Sequence, residues 1–300
     1  LLLAPSGAGA REALFSTSFE PGQPVPVLPD TGGMRLAVGN GPAQPYAAKR
    51  GMGYSGQHAL QYSGDTAGRT RLYAVDVEIG KDTTLSWMVL PEIVEGDVST
   101  STGVSLDLVL DDGSRLTSTG MKDQHGAALG AAGQAASMTL YPQQWARKQV
   151  RLGDLPALHG RRIKAIELEL QPGSRAGARG WIDDIAIEEA PRTSARRPSD
   201  LVLTNRGTQS NSTFSRGNNI PATAMPHGFN FWVPVTDAGT LAWLYRWSEH
   251  NGPDNRPRLQ AQSISHQPSP WMGDRQTFQV MPTSTRGVPE ADRGRPAPSV

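Results

Sequence analysis

Tyr73, Val75, Val77 and Ile79 alternate with Ala74, Asp76 and Glu78. This two-residue period turns one side of an extended chain to a core and the other to water. Val104, Leu106, Leu108 and Leu110 repeat it around Ser105 and Asp107, and Asp112-Gly113 follows as a turn dipeptide suited to positive φ. The pattern predicts a hairpin returning at Leu116. Runs at 85–90, 149–152, 163–170 and 181–188, bounded by Gly, Pro or polar clusters, predict further strands. Short strands at this spacing predict a sandwich. Between them, 120–134 is rich in Gly, Ala and polar residues without a helical stripe. It reads as a long loop, either a binding loop or a plain excursion.

Strict alternation in the last of these strands puts Asp183 on the same side as Trp181, Ile185 and Ile187. A buried carboxylate must be paired, hydrogen-bonded or bound to metal. Calcium takes several oxygen ligands of this kind, so Glu20 with Asp183 or Asp184 are candidate Ca²⁺ ligands. The other reading is an ordinary hydrogen-bonded strand end.

Composition narrows the classes. Among 300 residues, 29 Lys and Arg stand against 28 Asp and Glu without a long single-sign run. Nothing marks a nucleic-acid groove or an anionic membrane surface, and a neutral small molecule or glycan fits better. Gly at 33 and Pro at 24, spread without a short period, favour many turns over long helices. With no cysteine, a disulfide framework, a Cys-based zinc site and a thiol nucleophile are excluded. Residues 1–10, with Leu1-Leu2-Leu3-Ala4 and then Ala8-Gly9-Ala10, read as a signal-peptide remnant, so the expected location is secreted or extracytoplasmic. No later stretch is long and apolar enough to predict a membrane span.

The segment Leu14-Phe15-Ser16-Thr17-Ser18-Phe19-Glu20, together with Trp181-Ile182-Asp183-Asp184-Ile185, resembles the first and last strands of galactose-binding-like jelly-roll carbohydrate-binding modules. The resemblance implies that residues 12–190 form such a module, with those strands adjacent and holding a structural calcium. Sugar recognition would then use aromatic faces with polar groups. Tyr46, Tyr54, Trp87, Tyr141 and Trp145 are available, with Trp87 and Trp145 expected to pack in the core. Residues 191–200 carry Pro191 and Pro198 with Arg192, Arg196 and Arg197 and no hydrophobic period, which predicts a linker.

From Leu201 the character changes. Gly217-Asn218-Asn219-Ile220-Pro221 runs into Met225-Pro226-His227-Gly228-Phe229-Asn230-Phe231-Trp232-Val233-Pro234. Later come Trp243-Leu244-Tyr245, then Ile264-Ser265-His266-Gln267-Pro268-Ser269-Pro270-Trp271-Met272-Gly273-Asp274, and then Val280-Met281-Pro282. These ordered blocks resemble the start of the N-terminal domain of glycoside hydrolase family 92, with Ala222 standing where that family has Gly. The resemblance implies that 201–300 is the first part of a second β-sandwich, packed in such enzymes against an (α/α)₆ barrel missing from this sequence. It implies a calcium-dependent, inverting exo-α-mannosidase acting on mannose-containing glycans. Inversion needs one carboxylic acid and one carboxylate base on opposite faces of the sugar. In that family both lie in the barrel, so no catalytic residue is expected here. For substrate binding, Trp271 is expected to stack on a sugar, and Asp274 to accept a hydroxyl or cap its own loop. His266 and Asn230 are expected to bond the glycan or hold the two domains together. The alternative is a non-catalytic secreted lectin. Either way the expected fold class is all-β, a jelly-roll sandwich followed by part of a second sandwich.

Overall fold

The structure, a computed structural model, describes residues 12–28, 33–46, 48–192, 197–202, 207–211, 214–217, 219–224, 231–236, 245, 259–265 and 278–281. The predicted leader, 1–10, lies outside them. The chain divides into two compact units, one of Leu1–Pro45 with Arg50–Ser194 and one of Tyr46–Lys49 with Ala195–Val300. Among the described residues fourteen strands stand against one seven-residue α-helix, so the protein is all-β, as the alternating patterns predict.

The first unit holds nine strands: β1 (Glu12–Thr17), β2 (Met34–Gly39), β3 (Ala59–Gly64), β4 (Gly68–Glu78), β5 (Thr83–Pro91), β6 (Val104–Leu110), β7 (Ala146–Arg151), β8 (Arg162–Leu170) and β9 (Ala178–Glu189). One sheet runs β2-β3-β9-β5-β7, with β1 also on β9, and a second runs β4-β8-β6. At 12 residues, β9 is long enough to take two partners along one edge. There β3 pairs with 178–182 and β1 with 185–189, both antiparallel. β5 lines its other edge. Leu60 and Tyr62 of β3, Leu85 and Trp87 of β5, and Ile182 and Ile185 of β9 share one apolar core with Leu106 and Leu108 of β6 and Ile166 and Leu168 of β8. Full burial of each such side chain contributes about 1.5–3 kcal/mol. The core therefore decides which face of every strand turns inward.

Two sequence expectations give way here. Past Asp112-Gly113 the chain makes only a single bridge, Val109 to Arg115, and enters a 3₁₀ turn at Leu116–Thr119 instead of a returning strand. The cause is the fully buried Asp107 carboxylate. It accepts the Thr117 N–H at 3.1 Å and the Thr117 hydroxyl at 2.7 Å, while the β6 backbone pairs with β8. The expected loop at 120–134 runs into a helix, α1 (Ala131–Ser137). It has no amphipathic stripe because tertiary partners hold it. Glu169 accepts the Ala131 N–H at 3.1 Å, and the Gln134 amide donates to the Ala128 carbonyl at 2.8 Å.

Beside this helix sits a buried ion pair, Lys148 Nζ to Asp123 Oδ2 at 2.9 Å. Lys148 also donates to Thr139 Oγ1 at 2.7 Å. Burial alone would raise the Asp123 carboxyl. The ammonium of Lys148 and the N–H groups of Ala127 and His125 outweigh it and hold Asp123 below its ordinary value.

In the second unit, β10 (Gln209–Asn211) and β11 (Phe214–Arg216) form a hairpin, and β12 (Phe231–Val235), β13 (Ala261–Ser265) and β14 (Gln279–Val280) form an antiparallel sheet. Val233, Val235 and Ala261 are its buried apolar centre.

Breaking the Lys148–Asp123 pair from one side strands a charge inside the fold. Lys148→Ala is expected to destabilise the first unit by about 3–5 kcal/mol, whereas the double variant Lys148→Met with Asp123→Asn, which keeps an acceptor for the Ala127 and His125 N–H groups, loses far less. Urea unfolding at pH 7 checks this, and equal losses for the two variants would contradict the assignment.

Candidate functional site

Opposite Trp87 alone stand two residues of β9, because Met88 pairs with Asp183 and Ser86 with Ala186. Asp184 is the extra residue of a β-bulge, with φ 45°. The bulge corrects the strict alternation expected for this strand. Ile182, Ile185 and Ile187 point into the core, whereas Trp181 packs outside it against Gly39 and donates its indole N–H to Glu92 at 2.9 Å. Asp183 is on Trp181's side of the sheet and not with Ile185 and Ile187. It is fully buried because the segment 53–58 folds down over it.

That segment is fastened at two points. Asp183 Oδ2 accepts the N–H groups of Tyr54 at 2.7 Å and Ser55 at 3.2 Å, and its Oδ1 accepts the Asp184 N–H at 2.7 Å. The Ser55 hydroxyl donates to Asp184 Oδ1 at 2.5 Å. Just after β1, Glu20 Oε1 accepts the N–H groups of Gln57 and His58, both at 2.6 Å, and Oε2 meets the His58 ring at 3.0 Å. Gly53 and Gly56 permit this closeness. A Cβ on Gly53 would run into the carbonyls of His58 and Ser55 and the Asp183 carboxylate, and one on Gly56 would run into Glu20. Glu20 and Asp183–Asp184 thus grip the same loop.

Their electrostatics differ. Partial burial would raise Glu20, but the His58 and Gln57 donors hold it below its ordinary value. Burial drives Asp183 well above the carboxylate range, and the neighbouring Asp184 charge adds to this despite three backbone donors. Among the described residues no cationic side chain lies within ion-pair distance of Asp183. No group of three or more His, Asp or Glu side chains gathers as a metal site among them either. The carbonyls of Ser55 and His58 and Asp183 Oδ2 crowd the Gly53 Cα so closely that not even a Cβ would fit there. A carboxylate offers about four lone-pair positions, so three accepted bonds leave each of Glu20 and Asp183 one to give.

The same bulge opens a groove of about 480 Å³ on the outer face of the larger sheet. Outward residues of four strands line it: Ser16 and Ser18 at the end of β1, Asp184 and Glu188 of β9, Ser86 and Met88 of β5, and Arg147 of β7. Tyr54 forms one wall. Its ring stands edge-on against Trp145, 6.1 Å between centroids at 66°. Burial raises the Tyr54 phenol, Asp184 and Asp183 reinforce the rise, and Arg147 opposes it, so these charges act on one small volume. Trp87 packs in the core as expected. Trp145 is buried as well, but outside that cluster and beneath Tyr54, while Tyr141 is exposed.

Of the sequence-derived site residues, the structure brings Glu20, Asp183 and Asp184 together on one loop. Trp271, Asp274, His266 and Asn230 lie outside the described residues. The groove itself was missed. The signal for it is faint: small or polar residues recur at outward positions 16, 18, 86, 184 and 188, but only the strand pairing puts them side by side.

No protein-family model matches the chain, and no curated protein matches it. Solved structures similar to it include the CBM22-1 xylan-binding domain from Paenibacillus barcinonensis Xyn10C, at 18% identity over 62% of this chain and 100% of that one, with a TM-score of 0.34. A xylan-binding domain from CBM 22, formally x6b domain, is similar at 12% identity over 64% of this chain and 100% of that one, with a TM-score of 0.31. The glycoside hydrolase domain of Endo-D from Streptococcus pneumoniae R6 is similar at 16% identity over 55% of this chain and 21% of that one, with a TM-score of 0.28. Likeness at this level assigns no ligand to this chain.

Proposed function

We propose that residues 12–190 are a carbohydrate-binding module whose ligand lies in the groove over β1, β9, β5 and β7. The observation that carries this reading is the groove's mixed lining. A pyranose presents an apolar C–H face together with a ring of hydroxyls. Tyr54 and Met88 match the first, and Ser16, Ser86, Asp184 and Arg147 match the second. The sandwich holds these groups on four hydrogen-bonded strands, so little ordering is left for the ligand to impose.

In the same reading, Glu20, Asp183 and Asp184 hold a calcium ion that neutralises the buried Asp183 charge and fixes the loop that carries Tyr54. The module belongs to a secreted or extracytoplasmic protein that acts on mannose-containing glycans as an exo-α-mannosidase. Its support is the family 92 resemblance together with one feature of the second unit. The motif-bearing segments Phe231–Val235, Ala261–Ser265 and Gln279–Val280 are neighbours in a single sheet. On this reading the acid and base belong to the barrel.

Tyr54→Ala is expected to weaken binding of a neutral mannose-containing oligosaccharide about tenfold or more, near 1.4 kcal/mol, in calorimetric titration with the fold retained by circular dichroism. Unchanged affinity would remove the groove from the proposal. Calcium at 100 times its dissociation constant is expected to stabilise the protein by about 2.7 kcal/mol, and EDTA to reverse this. Superimposed melting curves with and without calcium would sink the metal. Residues 1–300 by themselves are expected to release no mannose from aryl α-mannosides, and turnover by them would show that the acid and base lie within this sequence.

A further inference from the structure

A second cleft, of about 380 Å³, opens at the other end of the same outer face, over β2, β3 and the start of β9. Its floor is bare backbone and small side chains, from Gly33, Gly64, Ala176, Gly177 and Ala178. Its walls carry Arg35, Ser63, Asp65 and Arg179, so it differs in chemistry from the Tyr54 groove.

The register places the charges. Arg35 pairs with Ser63, and Ser63 pairs with Arg179, so the three form one row across neighbouring strands with side chains on one face. Two strand spacings put the arginine backbones about 10 Å apart. Both arginine side chains line the cleft, on either side of Ser63. Arg35 is exposed and has no ion-pair partner among the described residues. Arg179 is held from behind, because its Nε donates to Glu92. Glu92 is itself buried and also accepts the Trp181 indole N–H. A clamped guanidinium beside an unclamped one is a fork prepared for an oxyanion, since guanidinium geometry matches carboxylate and related groups. Asp65 is on the opposite rim, where a carboxylate accepts hydroxyl protons and repels a bare anion.

We propose that this cleft is a second saccharide site, selective for a sugar ring bearing an acid group. The acid group docks on Arg35 and Arg179 above Ser63, and ring hydroxyls donate to Asp65. The recognised chemistry is an oxyanion on a polyhydroxylated ring, carried either as a uronate carboxylate or as a sulfate ester.

The test uses the whole chain in calcium-containing buffer at fixed ionic strength. Three size-matched oligosaccharides are titrated by heteronuclear NMR: one neutral, one containing uronic acid, one sulfated. At least one acidic ligand is expected to bind about tenfold more tightly than the neutral one and to shift resonances around Arg35, Ser63 and Arg179. Whichever acid prevails identifies the source. Arg35→Ala is expected to abolish that preference and Arg35→Lys to restore part of it. Arg71→Ala, which removes an exposed arginine from the other sheet, leaves the preference intact. Equal affinity for all three ligands, or equal losses from Arg35→Ala and Arg71→Ala, overturns the proposal, the second outcome marking a diffuse charge effect. Tyr54→Ala separates the two sites. It removes neutral-glycan binding and spares the acid preference, so either site can fail without the other.

Discussion

A buried carboxylate with no cationic side chain beside it among the described residues governs the layout of the first unit. Asp183 carries its oxygens into a fully buried position and finds only backbone N–H groups to receive them. Leaving an ionised group in such surroundings is costly unless every lone pair is used or a cation is close. The Asp184 bulge is the local means of aiming it. One extra residue turns both aspartates to the outer side while Ile185 returns to the core. From that follow the anchoring of 53–58, the placing of Tyr54, and the gap on β9 where β3 gives way to β1.

The two sheets treat their outer faces differently. On the three-stranded sheet, Arg69 meets Asp107 at 2.6 Å and Glu169 at 3.1 Å, while Arg162 and Lys164 both close on Asp76 at 2.7 and 2.6 Å. Those two cations hold Asp76 down to about 2. The exposed pairs at Asp76 add little stability each, but they saturate polar groups of the surface. The outer face of the larger sheet is not covered in this way. Two clefts form on it where side chains are short: Ser16, Ser86 and Ala186 in one, Gly64, Gly177 and Ala178 in the other.

The sequence revealed the parts whose causes are local. Val104, Leu106 and Leu108 alternate because one face meets a core, and β6 follows that alternation. Glu20 stood out just after the first apolar segment and Asp183-Asp184 as carboxylates within the last strand, and the structure gathers them on one loop. Other features have tertiary causes. The bulge depends on β9 having different partners along one edge, so alternation alone assigned Ile185 and Asp183 to the same side. Helix α1 owes its start to Glu169, thirty-eight residues away. β2 and β3 were not foreseen, since Met34–Gly39 is largely exposed and Ala59–Gly64 carries Gln, Ser and Gly among its apolar residues. Without those two strands, the row of Arg35, Ser63 and Arg179 cannot be seen.

One interaction both builds a cleft and divides the face. Arg179 and Asp184 are five residues apart on β9, on the order of 16 Å at 3.3 Å per residue. Between them the loop 53–58 comes down on Asp183, and Trp181 packs beneath Gly39. The loop that supplies the Tyr54 wall is therefore also the barrier separating the acid-lined groove from the arginine-lined cleft. Its grip on Asp183 and Glu20 keeps the charges of each cleft from being averaged over one continuous surface. That separation leaves one sheet face with two clefts of different chemistry.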